Sequence, residues 1–95
     1  VKVEYEGKRF DSRHEARSYE RLRLECLAGE HVGLARQVAF YLPGSVKYVA
    51  DFVTLEKDGT FKVYDAKSEA TRKNTVYRIK KRQMKNCLGL EIEEM

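Results

Sequence analysis

The sequence predicts an α+β fold: a small mixed β-sheet flanked by two helices, in the order β-α-β-β-β-α-β. Three observations predict it. The stretch Lys47 to Lys67, KYVADFVTLEKDGTFKVYDAK, alternates apolar and polar residues on both sides of a turn at Asp58-Gly59, the pattern of a hairpin. Two other stretches carry helix start and stop signals, Ser12-x-x-Glu15 with Gly29 and Thr71 or Asn74 with Gly89. No repeat, low-complexity tract or long linker divides the chain, so residues 1–95 are expected to form one domain.

In chain order, Val1, Val3 and Tyr5 alternate with polar residues before a turn near Glu6-Gly7-Lys8, and Phe10 closes a short strand or small hairpin. The first helix should run from about Arg13 to Ala28. Tyr19, Leu22, Cys26 and Leu27 form its apolar stripe, and Glu15 extends that stripe one turn toward the N-terminus. Residues 34–42, LARQVAFYL, read as a strand ended by Pro43-Gly44. The hairpin arms follow as Lys47–Glu56 and Thr60–Lys67. A polar link leads to a second helix from about Arg72 to Leu88, and Leu90 with Ile92 alternates in a final strand.

Composition bounds the function. Charged residues make up 36% of the chain and hydrophobic ones 42%, which argues against both a membrane protein and disorder. No apolar run approaches the roughly 20 residues that span a bilayer, and no signal-peptide pattern is present, so an intracellular location is expected. The net charge of +4 permits a polyanionic partner. Cys26 and Cys87 lack a CxxC arrangement and read as buried free thiols, while His14 and His31 are expected at the surface.

The turn decides which hairpin side chains meet. A two-residue loop at Asp58-Gly59 would place Asp51 and Asp65 on opposite faces, because side chains alternate along a strand. A three-residue loop, Lys57-Asp58-Gly59 with Gly59 left-handed, pairs Glu56 with Thr60 and hence Leu55 with Phe61, Val53 with Val63 and Asp51 with Asp65. The second register is favoured because it gathers Val53, Leu55, Phe61 and Val63 on one buried face. Asp51 and Asp65 then end that face, with Lys67 one pleat beyond. Two carboxylates so placed repel one another and raise each other's pKa unless a cation intervenes. A hard ion such as Mg²⁺ or Mn²⁺ suits carboxylate oxygens, and Glu15 is positioned to supply a third one.

These residues resemble a known family. Asp51, followed by Asp65-Ala66-Lys67, is similar to the bipartite D…(D/E)-x-K signature of the PD-(D/E)XK nuclease superfamily. The likeness is closer to a group of small phage proteins within it, formerly of unknown function. Their pattern corresponds here to Phe10-Asp11-Ser12 with Glu15, Gln37, Asp51-Phe52 and Asp65-Ala66-Lys67. Ala50 stands where the superfamily name has proline, and Ser68 where a glycine often follows the lysine.

The resemblance implies a restriction-endonuclease-like core and Mg²⁺-dependent (or Mn²⁺-dependent) hydrolysis of DNA phosphodiesters, with branched or junction DNA as a reasonable substrate. It implies Asp51, Asp65, the Ala66 carbonyl and Glu15 as metal ligands, Lys67 as catalytic lysine and Gln37 as a further site residue. It also allows a homodimer, and the host cytoplasm as location if the chain is phage-encoded. Arg72, Lys73, Arg78, Lys80, Lys81, Arg82 and Lys85 form a basic run on the second helix, read as a phosphate-contacting face. The rival readings are a non-catalytic DNA-binding module and a structural subunit of a phage or mobile-element assembly.

Overall fold

The computed structural model describes residues 2–95, so Val1, expected in the first strand, lies outside the described residues. A short hairpin of β1 (Val3–Tyr5) and β2 (Lys8–Phe10) leads into helix α1 (Arg13–Leu27). Strands β3 (Gly33–Leu42), β4 (Val46–Leu55) and β5 (Phe61–Asp65) follow, then α2 (Glu69–Arg72), α3 (Thr75–Leu88) and β6 (Ile92–Glu94). The main sheet has the order β3-β4-β5-β6, antiparallel except for the parallel β5–β6 pair. This is the mixed α+β architecture expected from the sequence, with one refinement. The single second helix is two, because Ser68 caps a short turn and the Asn74 side chain caps α3 by accepting from the Tyr77 amide at 3.1 Å.

The helix signals act as expected. Ser12 accepts from the Glu15 amide at 3.1 Å to start α1, and Gly89, at φ +69°, ends α3 in the left-handed conformation. The stripe of α1 is narrower than expected. Tyr19 and Leu22 are buried, joined by Ala16 and Ser18, but Cys26 is half-buried and Leu27 is exposed; both cysteines are free thiols, and Cys87, expected to be buried, is exposed on α3.

The two helices serve different faces of the sheet. One cluster joins α1 to Phe10, Phe52 and Tyr64, and the other joins Tyr77 and Met84 of α3 to Tyr48, Ala50, Val53, Val63 and Ile92. In a regular strand Ala50 and Phe52, two residues apart, would share a face. Here they belong to opposite clusters, so β4 turns over at Asp51. Its neighbour β3 does the same, since Leu34 packs with the α1 cluster and Val38 with the α3 cluster. Between them Gln37 has φ +52°, a left-handed conformation costly for any residue but glycine.

The hairpin adopts the three-residue loop. Val53 pairs with Val63 and Leu55 with Phe61. The Glu56 amide bonds to the Thr60 carbonyl at 2.8 Å, and Gly59 has φ +85°. The expected buried face is shorter than drawn. Val53 and Val63 are buried, Leu55 is half-buried, and Phe61 at the turn end is 55% exposed. Among the described residues no helix is long and apolar enough to cross a membrane.

His31 is not the surface residue expected. Its ring lies between Glu25 of α1 and Glu56 beside the hairpin turn, with 2.8 Å contacts from Nε2 and Nδ1 respectively. Burial pulls its pKa down, but the two carboxylates outweigh this and the net shift is upward. Stability from this clamp is therefore full below the ordinary histidine value and fades as pH rises through the raised one. The shifts on Glu25 and Glu56 are downward, so their share fades only when the solution becomes strongly acidic. A His31→Gln variant should lose most stability relative to wild type near pH 5–6 and least in alkaline solution, by urea unfolding across pH. In the core, Leu22→Ala and Met84→Ala should each cost about 2–5 kcal/mol by the same assay, since each side chain is fully buried.

Candidate functional site

The site grows out of the place where the β4–β5 ladder stops. Regular pairing runs from Leu55–Phe61 to Phe52–Tyr64. One step further, Asp51 and Asp65 stand opposite each other and exchange side chain for backbone. The Asp51 amide donates to Asp65 Oδ1 at 3.0 Å, and the Ala66 amide donates to Asp51 Oδ2 at 2.9 Å. Each carboxylate thus satisfies a backbone N–H that the ladder has released. Lys67, the next residue along, brings Nζ to 3.5 Å from Asp51 Oδ2 and 3.9 Å from Asp65 Oδ1.

Asp65 is the deepest member, with no solvent exposure. Its Oδ2 accepts a short hydrogen bond from the Tyr48 hydroxyl. Burial drives the Asp65 pKa up, and the Asp51 charge adds to this, while bonds from Tyr48 and the Asp51 amide and the charge of Lys67 oppose it. Burial, followed by the Asp65 charge, pushes the Tyr48 hydroxyl far above its ordinary value, so it is a fixed donor. Tyr48 is not among the site residues expected from the sequence. The signal that could have exposed its second role is that a buried tyrosine hydroxyl needs a partner, and Asp51 and Asp65 are the nearby acids.

Glu15 comes from the first turn of α1, on the face that also carries Tyr19 and Leu22 toward Phe52. It is buried, and its Oε1 accepts from Gln37 Nε2 at 3.3 Å and lies 3.9 Å from an Arg36 terminal nitrogen. Burial raises its pKa, the charges of Asp51 and Asp11 raise it further, and Arg36 and Lys67 pull it back. The structure therefore brings Asp51, Asp65, Ala66 and Lys67 into direct contact. Glu15 and Gln37 form an adjoining pair, coupled to them through charge. Among the described residues no group of three or more acidic, histidine or cysteine side chains is drawn together as ready metal ligands. Ala66 engages Asp51 through its backbone amide.

Arg36 is a neighbour that the sequence did not single out. Its guanidinium lies 4.0 Å from the Phe10 ring centre and donates to the Arg9 carbonyl at 2.9 Å, which holds its charge beside Glu15.

The basic run on the second helix is less uniform than its sequence. Arg72 and Lys81 reach Glu94, Lys73 reaches Glu69 and Lys85 reaches Glu91. Only Arg78, Lys80 and Arg82 of that run make no ion pair among the described residues. The neutralising acids come mostly from β6 and the residues before it, which a reading of the helix alone does not include.

In comparisons with known proteins, a family model described as "Protein of unknown function (DUF1064)" matches residues 1–88. No curated protein and no solved structure matches the chain.

Replacing Glu15 by glutamine should stabilise the protein near neutral pH, because it removes a buried charge that repels Asp51. A carboxyl whose folded pKa is raised destabilises above that pKa and ceases to do so below the ordinary value of 4.5. Thermal melts of Glu15→Gln and wild type should therefore diverge above the raised pKa and converge in acid.

Proposed function

The chain belongs to the DUF1064 family, and from the chemistry of its opened strand ends we propose that it is a metal-dependent DNA endonuclease of the PD-(D/E)XK type. One observation carries the proposal: Asp51, Asp65 and Lys67 converge where β4 and β5 part, with Glu15 buried beside them. A structural role alone explains this grouping poorly. Three acids gathered in and around a buried recess, two with raised pKa values, leave an excess of negative charge that Lys67 and Arg36 offset only in part.

The donor set suits a hard divalent cation such as Mg²⁺ or Mn²⁺ in kind, since it consists of carboxylates. Asp51 and Asp65 would hold it, with Glu15 contributing after a modest approach. The ion supplies a Lewis acid for the phosphoryl oxygen and for water. The chain's own groups do the rest. Tyr48 fixes the rotamer of Asp65 by its hydrogen bond. Gln37 orients Glu15 of α1 in the same manner, from a backbone position held in the left-handed conformation. Lys67 holds the attacking water in line or offsets charge gathering on the phosphate. A homodimer would bring two such sites to the two strands of a branched substrate.

A second reading, a DNA-binding module without activity, is favoured by the absence of a ready three-ligand group among the described residues and by Lys67 standing against both aspartates. The two readings part on metal. If the nuclease reading holds, Mn²⁺ raises the melting temperature of wild type but not of Asp51→Asn. It also supports nicking of at least one of single-stranded, duplex, flapped or four-way DNA. Asp65→Ala abolishes that cutting, and Lys67→Ala lowers it by about 10²-fold or more. Absence of any cutting with Mg²⁺ or Mn²⁺, or an Asp65→Ala variant as active as wild type, overturns it.

A further inference from the structure

A groove runs directly into this site on the side away from Glu15. Strand β5 pairs with β4 only from Phe52 to Leu55. Further back, β4 from Lys47 to Ala50 keeps its β3 partner on one edge but has no strand on the other. Helix α2 and the first turns of α3 stand off from that open edge and leave a trough of about 420 Å³.

The chemistry of the trough is one-sided. Lys47, Lys67 and Lys80 line it, with the polar side chains of Thr71 and Asn74, and no acid is among its lining residues. Lys47 is exposed and Lys80 half-buried, and neither makes an ion pair among the described residues. The contrast with the groove along the rest of α3 is direct. There Arg72, Lys81 and Lys85 share the walls with Glu91 and Glu94 and are neutralised by them, which leaves Arg78 and Arg82 as the cations of that groove without an ion pair among the described residues. The walls of the acid-free trough also include Val49 and Val76, exposed apolar side chains suited to a sugar or base face. Its floor carries Tyr48, whose hydroxyl bonds to Asp65, so the trough and the carboxylates share a residue.

We propose that this trough, through Lys47 and Lys80, binds the phosphodiester backbone next to the phosphate held at Lys67, and that the paired cations farther along α3 contribute little. The inference rests on the nuclease reading for its ligand and goes beyond it in assigning the path. Two unpaired ammonium groups, Lys47 on β4 and Lys80 on α3, flank the trough, and Lys67, itself held against Asp51 and Asp65, stands at its inner end. The cations paired with Glu91 and Glu94 would first have to break those contacts.

The test is the salt dependence of binding to fluorescein-labelled single-stranded and duplex oligonucleotides, by anisotropy with divalent metal chelated so that no cutting occurs. Removing one phosphate contact lowers the slope of log K against log salt by about 0.9 on duplex DNA. Lys47→Ala/Lys80→Ala should therefore flatten the slope by about 1.8 and weaken binding. Lys2→Ala/Lys57→Ala, which removes the same charge elsewhere, should leave the slope unchanged. Circular dichroism melts check that both variants fold.

An unchanged slope in Lys47→Ala/Lys80→Ala overturns the trough, and so does equal flattening in the two double variants. If wild type nicks DNA and the trough variant keeps its slope, only the trough falls. If wild type neither binds nor cuts DNA, the nuclease reading falls with it.

Discussion

The structure depends on one exchange: two aspartates take over the hydrogen bonding of a sheet at the point where its strands separate. A ladder that ends inside a protein leaves amides without partners, and unpaired buried amides cost about as much as a lost hydrogen bond. Asp65 accepts from the Asp51 amide and Asp51 accepts from the Ala66 amide, so the opening is sealed by charge. The seal has its own cost, because both carboxylates are buried and repel each other. Lys67 and Tyr48 make it tolerable, one by charge and the other by a fixed hydroxyl. The groups that let the strands part are thus also the groups on which the proposed chemistry rests.

The same opening explains the rest of the architecture. Both β3 and β4 change the face they present at Gln37 and Asp51, which lets one sheet serve two helices. The left-handed backbone of Gln37 is the local strain that accompanies this change, and its side chain steadies Glu15 from α1. Because β5 leaves β4 at this point, the open edge of β4 faces α2 and the start of α3, and the acid-free trough is the space left between them. Site and groove are therefore consequences of one topological event.

Much of this was legible in the sequence. Counting residues through Lys57-Asp58-Gly59 set the register of Val53 with Val63 and Leu55 with Phe61, since a loop of odd length is closed by a left-handed glycine, and just beyond the end of that ladder the Asp51 amide meets the Asp65 carboxylate. The capping signals at Ser12 and Gly89 placed two helix ends, and with the first of them Glu15, whereas the choice between Thr71 and Asn74 stayed open and the break between α2 and α3 was not foreseen. Other features depend on contacts between distant segments. Nothing in LARQVAFYL announces that Gln37 adopts a positive φ, because a glutamine carries no preference for it. The His31 clamp needs Glu25 and Glu56, which only the tertiary fold brings together. The pairing of Lys81 and Lys85 likewise requires Glu94 and Glu91 from beyond the helix. Alternation also overstated the burial of Phe61, because a strand pattern extends to the turn whether or not a helix covers that end.

The most direct measurement of the central claim is anomalous scattering from crystals soaked in Mn²⁺. The account predicts one or two peaks bonded to carboxylate oxygens of Asp51 and Asp65, with the Lys67 ammonium drawn out of its contacts with them. No peak at the opened strand ends, with Lys67 still held against both aspartates, would contradict it.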